Sequence, residues 1–251
     1  MKKSAKLFVL LILVFTLLQC STQKKIGIYL IGDSTMAEYD STRHPLTGWG
    51  EMLQPLFNEN VTVYNHAVSG KSSKSFRDLG YWKTVHGSLK KGDYVIIQFG
   101  HNDEKEYDST RYTIPGGSYN ANLKRFIDEA REKGAIPILA TPISRRKFNE
   151  EGELLDTHGK YPDAVRDVSK ETDVPLIDLQ KMTKSLLEKY GVEGSTKLFC
   201  WAEPGEYPAY PDGVKDNTHL SELGALEISK LFVKGIKESN LESKNYLYVP
   251  K

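Results

Sequence analysis

Ile26-Gly27-Ile28-Tyr29-Leu30-Ile31-Gly32-Asp33-Ser34-Thr35 decides the class of the fold. Its apolar residues run on almost without polar alternation and stop at a Gly-Asp-Ser-Thr turn, the pattern of a strand covered on both faces. Further strands are read at 61–64, 94–99, 136–140 and 174–177, most of them runs of the same kind, bounded by turn residues. Helical patterns separate them. Leu123, Phe126, Ile127 and Ala130 fall at i, i+3, i+4 and i+7, with Gly134 placed to stop the helix. Tyr161, Ala164, Val165 and Val168 repeat the spacing, and Ile228, Leu231, Phe232 and Ile236 form the last stripe, with Ser221 as its N-cap. All three stripes read as core. The alternation predicts βαβ units, a five-stranded parallel sheet and a three-layer α/β/α architecture.

Working outward, the chain of 251 residues reads as one domain from about residue 26 to residue 251. Two long connections interrupt the regularity, one from 142 to about 158 and one from 191 to 218. Loops of that length in a compact domain are usually functional. Before the domain, Lys2, Lys3 and Lys6 precede an apolar run at 7–18 broken only by Thr16. Such a run is too short to span a bilayer comfortably, and its basic head and polar tail give it the layout of an export signal. Residues 1–19 are therefore expected to be removed, with 20–25 as a short linker. The run ends in Leu17-Leu18-Gln19-Cys20, which resembles a bacterial lipoprotein signal, and that resemblance implies acylation of Cys20. The expected location is the cell envelope, or the periplasm or medium if Cys20 is not acylated, with contact to a membrane only through that lipid.

Composition narrows the function. With 34 Lys plus Arg against 33 Asp plus Glu, a net charge of +1 gives no global attraction for nucleic acid. Two cysteines exclude a multi-disulfide framework and a Cys-rich metal cluster.

In an open parallel sheet, ligands bind beyond the carboxyl ends of the strands. Those ends carry Gly32-Asp33-Ser34-Thr35, Asn65-His66-Ala67-Val68-Ser69-Gly70 and Gly100-His101-Asn102-Asp103. Ser34 offers a hydroxyl, which needs a base to become a nucleophile. His219 suits that role because Asp216 lies three residues earlier, where on one turn its carboxylate accepts the Nδ1 proton and leaves Nε2 to face a serine. The other histidines lack such a partner in sequence. The oxyanion that forms on attack needs donors, and the Ser34 N–H, the Gly70 N–H and the Asn102 carboxamide are the candidates.

At these residues the chain resembles the SGNH, or GDSL-type, hydrolases, whose four blocks contribute Ser, Gly, Asn and His in that order. Here they are Ser34, Gly70, Asn102 and His219, with Thr35 where the family's eponymous Leu stands. Within that family, Gly32-Asp33-Ser34-Thr35, Thr47-Gly48-Trp49-Gly50, Ala67-Val68-Ser69-Gly70-Lys71-Ser72-Ser73 and Gly100-His101-Asn102-Asp103 resemble the rhamnogalacturonan acetylesterases. The resemblance implies a flavodoxin-like SGNH fold and a serine esterase removing acetyl groups from pectic polysaccharide. It implies Ser34, His219 and Asp216 as the catalytic residues and calls for no metal or cofactor.

Plainer readings stand beside these. Asp33 reads as a local hydrogen-bonding residue of the turn. Gly70-Lys71-Ser72 has Asn65 where a P-loop requires glycine, no Gly-x-Ser-x-Gly elbow occurs, and no His-Glu-x-x-His zinc motif occurs. Arg145 and Arg146 open the first long connection, where a guanidinium fork suits the carboxylates of a galacturonate polymer or forms a solvated face. Trp201, Tyr207 and Tyr210 in the second connection fit stacking on sugar rings and equally fit packing of that loop. The alternatives to a pectin acetylesterase are an SGNH enzyme for acetylated xylan, a lipid or a thioester, and a non-catalytic glycan-binding lipoprotein.

Overall fold

A computed structural model describes residues 25–248; the expected signal at 1–19 and Cys20 lie outside them. The strands are β1 (Ile26–Gly32), β2 (Val61–Asn65), β3 (Tyr94–Gln98), β4 (Ile136–Ala140) and β5 (Leu176–Ile177). They form one parallel sheet in the order β2-β1-β3-β4-β5. The chain order reverses at β1, which pairs with both β2 and β3, so the ends of these three strands open on the switch point where an α/β sheet binds ligand.

Successive residues of a strand point to opposite faces, and each face has its own core. Ile26, Ile28, Leu30, Ile96 and Ile138 pack on one side with residues of α5 (Leu179–Gly194) and α6 (Glu222–Glu238). Tyr29, Ile31, Val95, Ile97 and Leu139 pack on the other, against α1 (Ser73–Asp78), α2 (Tyr81–Ser88), α3 (Ser118–Glu132) and α4 (Tyr161–Thr172). The three stripes expected from sequence bury as predicted, apart from Leu231, which is half-buried at the edge of its core. Each fully buried Leu, Ile or Phe on them contributes about 1.5–3 kcal/mol. The Ser221 hydroxyl accepts from the Gly224 N–H and caps α6.

Two expectations change. The strand expected at 174–177 shortens to Leu176–Ile177, because the Val174 N–H turns back to the Ser169 carbonyl at the end of α4. The connection from 191 to 218 is not a loop: it carries β6 (Phe199–Ala202) and β7 (Val214–Leu220), an antiparallel hairpin apart from the main sheet. Trp201 pairs with Lys215 and Phe199 with Leu220, so residues 216–219 bulge out opposite Cys200. Asp216 and His219 therefore sit on a strand bulge rather than on a free turn, and a bulge re-aims the side chains it carries.

Candidate active site

Beyond β1 the chain turns at once. The Met36 and Ala37 N–H groups donate to the Asp33 carbonyl, and Asp33 Oδ1 accepts from the Thr35 N–H at 3.0 Å and the Thr35 hydroxyl at 2.9 Å. Asp33 is fully buried and shapes the turn. Burial alone raises its pKa, yet nearby His101 and the Thr35 hydrogen bonds hold it down to about 2. The Thr47-Gly48-Trp49-Gly50 segment braces the turn from behind. The Trp49 N–H donates to the Thr35 carbonyl and its indole to Gln98 Oε1 at 2.8 Å, both within the core. Gly48 is needed for that approach, since a Cβ there would meet the Ala37 carbonyl oxygen at 1.9 Å.

Ser34 stands at the apex with little exposure, its carbonyl accepting from the Tyr39 hydroxyl at 2.7 Å. Its Oγ lies 2.9 Å from His219 Nε2, and His219 Nδ1 lies 2.7 Å from Asp216 Oδ2. A carboxylate only accepts, so Nδ1 carries the ring proton and Nε2 accepts from the serine hydroxyl. The other oxygen, Asp216 Oδ1, accepts from the N–H groups of Thr218 at 2.7 Å and His219 at 2.9 Å. Burial works against the Asp216 charge, but these bonds and the His219 side chain hold its pKa below the usual carboxylate value.

Gly70 and Asn102 close the other side. The Val68 N–H donates to the Gly32 carbonyl, which ties the end of β2 to the Ser34 turn. Two residues on, Gly70 adopts φ +75°, the left-handed region that disfavours any side chain. Asn102 is buried, and its Nδ2 donates to the Lys71 carbonyl at 3.1 Å, which leaves it a second N–H donor. Its Oδ1 accepts from Lys105 Nζ at 2.8 Å and from Arg111 Nη1 at 3.4 Å, so two cations polarise one amide. Next in the chain, Asp103 accepts from the Ser73 N–H, the Ser73 hydroxyl at 2.5 Å and the Thr113 hydroxyl at 2.8 Å. Full burial outweighs those bonds and raises its pKa to about 7. Burial likewise lowers His101 to about 4, with Asp33 beside it at 3.3 Å.

The structure thus brings Ser34, His219 and Asp216 into one hydrogen-bonded series and links Gly70 and Asn102 through the segment 68–71. It gives the expected substrate residues other employment. Arg145 pairs with the Glu104 carboxylate. Arg146 is almost buried, with Nε on the Ser195 hydroxyl at 3.1 Å, Nη1 on Asn217 Oδ1 at 3.0 Å and Nη2 on the Val192 carbonyl at 2.6 Å. Both guanidinium groups meet protein acceptors, Arg146 inside the hairpin base and Arg145 on a partly exposed wall. Trp201 donates to Asn217 Oδ1 at 3.1 Å and lies between Arg146 and Lys215, so it packs the hairpin. Tyr207 and Tyr210 share the turn that links the two hairpin strands, the Tyr210 N–H donating to the Tyr207 carbonyl. The Tyr210 hydroxyl meets the Cys200 thiol, whereas Tyr207 stays half-exposed. Sequence reasoning missed Tyr39, Lys105 and Arg111; Lys105 had a local signal, three residues after Asn102, and the other two had none.

The comparisons with known proteins give the family. The GDSL-like lipase/acylhydrolase family profile matches residues 30–225, a span from the last residues of β1 to the first turn of α6. The chain is 46% identical over 225 residues to the rhamnogalacturonan acetylesterase RhgT of Bacillus subtilis, covering 90% of this chain and 95% of that one. It is 37% identical over 215 residues to the probable rhamnogalacturonan acetylesterase YesY of the same organism, covering 85% and 94%. Among solved structures, the Bacillus subtilis protein YxiM superposes with a TM-score of 0.72 at 24% identity, over 87% of this chain and 58% of that one, a likeness of fold. Since the profile takes in Ser34, Gly70, Asn102 and His219 together, the chain belongs to the GDSL-like lipase/acylhydrolase family.

Proposed function

We propose that this chain is a serine esterase that removes acetyl groups from plant cell-wall polysaccharide, rhamnogalacturonan foremost. The observation that carries the chemistry is the series Ser34 Oγ, His219 Nε2, His219 Nδ1 and Asp216 Oδ2, with contacts of 2.9 and 2.7 Å. Ser34 Oγ attacks the acetyl carbonyl as His219 takes its proton, and Asp216 stabilises the imidazolium. The N–H groups of Ser34 and Gly70 and the free N–H of Asn102 receive the oxyanion. The imidazolium then protonates the departing sugar oxygen, leaving an acetyl-serine. Water, deprotonated by His219, attacks that ester and releases acetate and the free serine. The substrate choice rests on the 46% identity to RhgT over nearly the whole of both chains.

The reading includes export. Residues 1–19 are cleaved, Cys20 is acylated and the domain works from the outer face of a membrane. Among the described residues no helix is long and apolar enough to cross a membrane, so a lipid would be the anchor. Cys20→Ser is expected to move the protein from the membrane fraction to the soluble one, and an unchanged distribution rejects the anchor.

For the enzyme, Ser34→Ala should abolish hydrolysis of para-nitrophenyl acetate while circular dichroism stays unchanged. Persistent turnover overturns the mechanism. Acetate release from acetylated rhamnogalacturonan should exceed that from acetylated xylan; the reverse order replaces the substrate and keeps the chemistry.

A further inference from the structure

We propose that the groove beside Gly70 is a carboxylate-binding subsite, which holds an acidic sugar of the polymer next to the acetylated residue. The proposal rests on the esterase reading for its substrate, and on the following geometry for its place. The groove has a volume of about 730 Å³, within the usual range for ligand sites, and Lys71, Lys74 and Arg111 supply its cations. It begins at the oxyanion side of the site. A Cβ on Gly70 would point at Arg111 Nη1, 3.9 Å away, and the Lys71 carbonyl accepts from Asn102 Nδ2. Gly70 and Lys71 thus belong both to the groove wall and to the segment that meets Asn102, which sets the groove beside the proposed oxyanion donors.

The charges there are unequally spent. Arg111 is met by Asp108 at 2.6 Å, as Arg145 is met by Glu104 elsewhere. Lys74 Nζ donates to the Ser109 carbonyl at 2.6 Å, a neutral acceptor that fixes the ammonium and leaves two of its N–H donors. Lys71 Nζ lies 5.9 Å from the centre of the Tyr81 ring, again neutral. Among the described residues neither lysine makes an ion pair, and the acid in the groove wall is the exposed Asp78, one turn beyond Lys74 on α1. Exposed Leu79 adds an apolar surface for the C–H face of a sugar ring. Two ordered, unpaired ammonium groups beside an apolar patch suit a uronate better than a neutral sugar.

The test uses deacetylated rhamnogalacturonan oligosaccharides, before and after chemical reduction of their carboxyl groups, as competitive inhibitors of para-nitrophenyl acetate hydrolysis. Their binding to the full chain is also measured by titration calorimetry, so the result does not depend on turnover. Lys71→Gln with Lys74→Gln should weaken binding of the charged oligosaccharide by about tenfold, as two exposed ion pairs of ordinary strength would. High salt should reproduce much of that loss in the wild type. The reduced oligosaccharide should bind weakly and equally to wild type and variant. Equal binding of charged and reduced oligosaccharides by the wild type, or no effect of the double substitution, overturns the subsite. Failure of the esterase reading shows separately, as aryl acetate hydrolysis that is absent or survives Ser34→Ala.

Discussion

Arg146 holds Asn217 twice, by its backbone N–H on the Asn217 carbonyl at 2.9 Å and by Nη1 on Asn217 Oδ1 at 3.0 Å. Asn217 lies inside the bulge between Asp216 and His219, so this arginine fixes the segment that aims both at Ser34. Trp201 adds a third bond to Asn217, on the same side-chain oxygen that Nη1 meets. Releasing the bulge misplaces the imidazole, and a displacement of about 1 Å can cost about 100-fold in rate. Arg146→Ala should lower kcat on para-nitrophenyl acetate by about 10- to 100-fold with KM changed far less. Arg146→Lys should not restore it, because an ammonium lacks the fork that meets Asn217, Ser195 and Val192 together. A variant with full kcat would show that the bulge holds its shape unaided.

The partner of His219 offers a sharper test. In Asp216→Asn the N–H groups of Thr218 and His219 still demand an oxygen where Oδ1 now stands. The new NH₂ must then face His219 Nδ1, which forces the proton to Nε2 and turns the base into a donor toward Ser34. A loss of about 10³- to 10⁴-fold in kcat is expected. Steady-state rates on the aryl ester, with the fold checked by its melting curve, decide it; a loss below tenfold would remove Asp216 from the relay.

Which parts were legible in sequence follows from how local their physics is. The central strands announced themselves because burial on both faces leaves a nearly unbroken apolar run, as at Tyr94–Gln98 with all five residues buried, whereas the edge strand β2 alternates buried and exposed residues. Ser34 and His219 were legible from strand ends and from the i, i+3 spacing of Asp216. The same spacing misled about the element, since a bulge opposite Cys200 delivers the geometry that a turn was expected to provide. The β6 and β7 hairpin hid because Phe199–Ala202 is short and β7 alternates polar residues around that bulge. The protein partners of Arg145 and Arg146 were hidden for a related reason. Whether a basic pair faces water or the interior depends on Glu104 and Asn217, which lie 41 and 71 residues away.

Under the proposed mechanism, Lys105 would act on the oxyanion through Asn102. Its ammonium on Oδ1 draws electrons from the carboxamide, which strengthens the N–H that faces the developing charge, and it fixes which way the amide points. Burial and then the nearby Arg111 and Arg145 charges lower the Lys105 pKa, so the site tolerates this cation at some cost. Lys105→Met keeps the stem and removes the charge. It should reduce kcat on the aryl acetate by about tenfold, less than the 10²- to 10³-fold typical of deleting an oxyanion donor outright. Lys105→Arg should recover most of the rate. An unchanged kcat in the Met variant would leave Arg111 as sufficient.

Acid stability is expected to be set by two buried groups that oppose each other. His101 is held at about 4 against an ordinary 6.5, so between those values the unfolded chain binds a proton that the fold refuses, and stability falls as pH falls. Asp103 is raised to about 7 from 3.8, so between 7 and 3.8 the fold binds a proton that the unfolded chain releases, and stability rises as pH falls. The windows overlap and the spans are similar. The wild type should therefore change little in urea midpoint from pH 7 down to about pH 4, before Asp33, held at about 2, begins to lose its contribution below 3.8. Asp103→Asn removes the rising half and exposes the falling one. Its midpoint should drop steadily from about pH 6.5 to about pH 4 while the wild type stays level. A wild type that falls in step with the variant would mean that Asp103 is ionised in the fold and that its Ser73 and Thr113 bonds outweigh burial, and a variant that stays flat would mean that His101 keeps its ordinary titration in the fold.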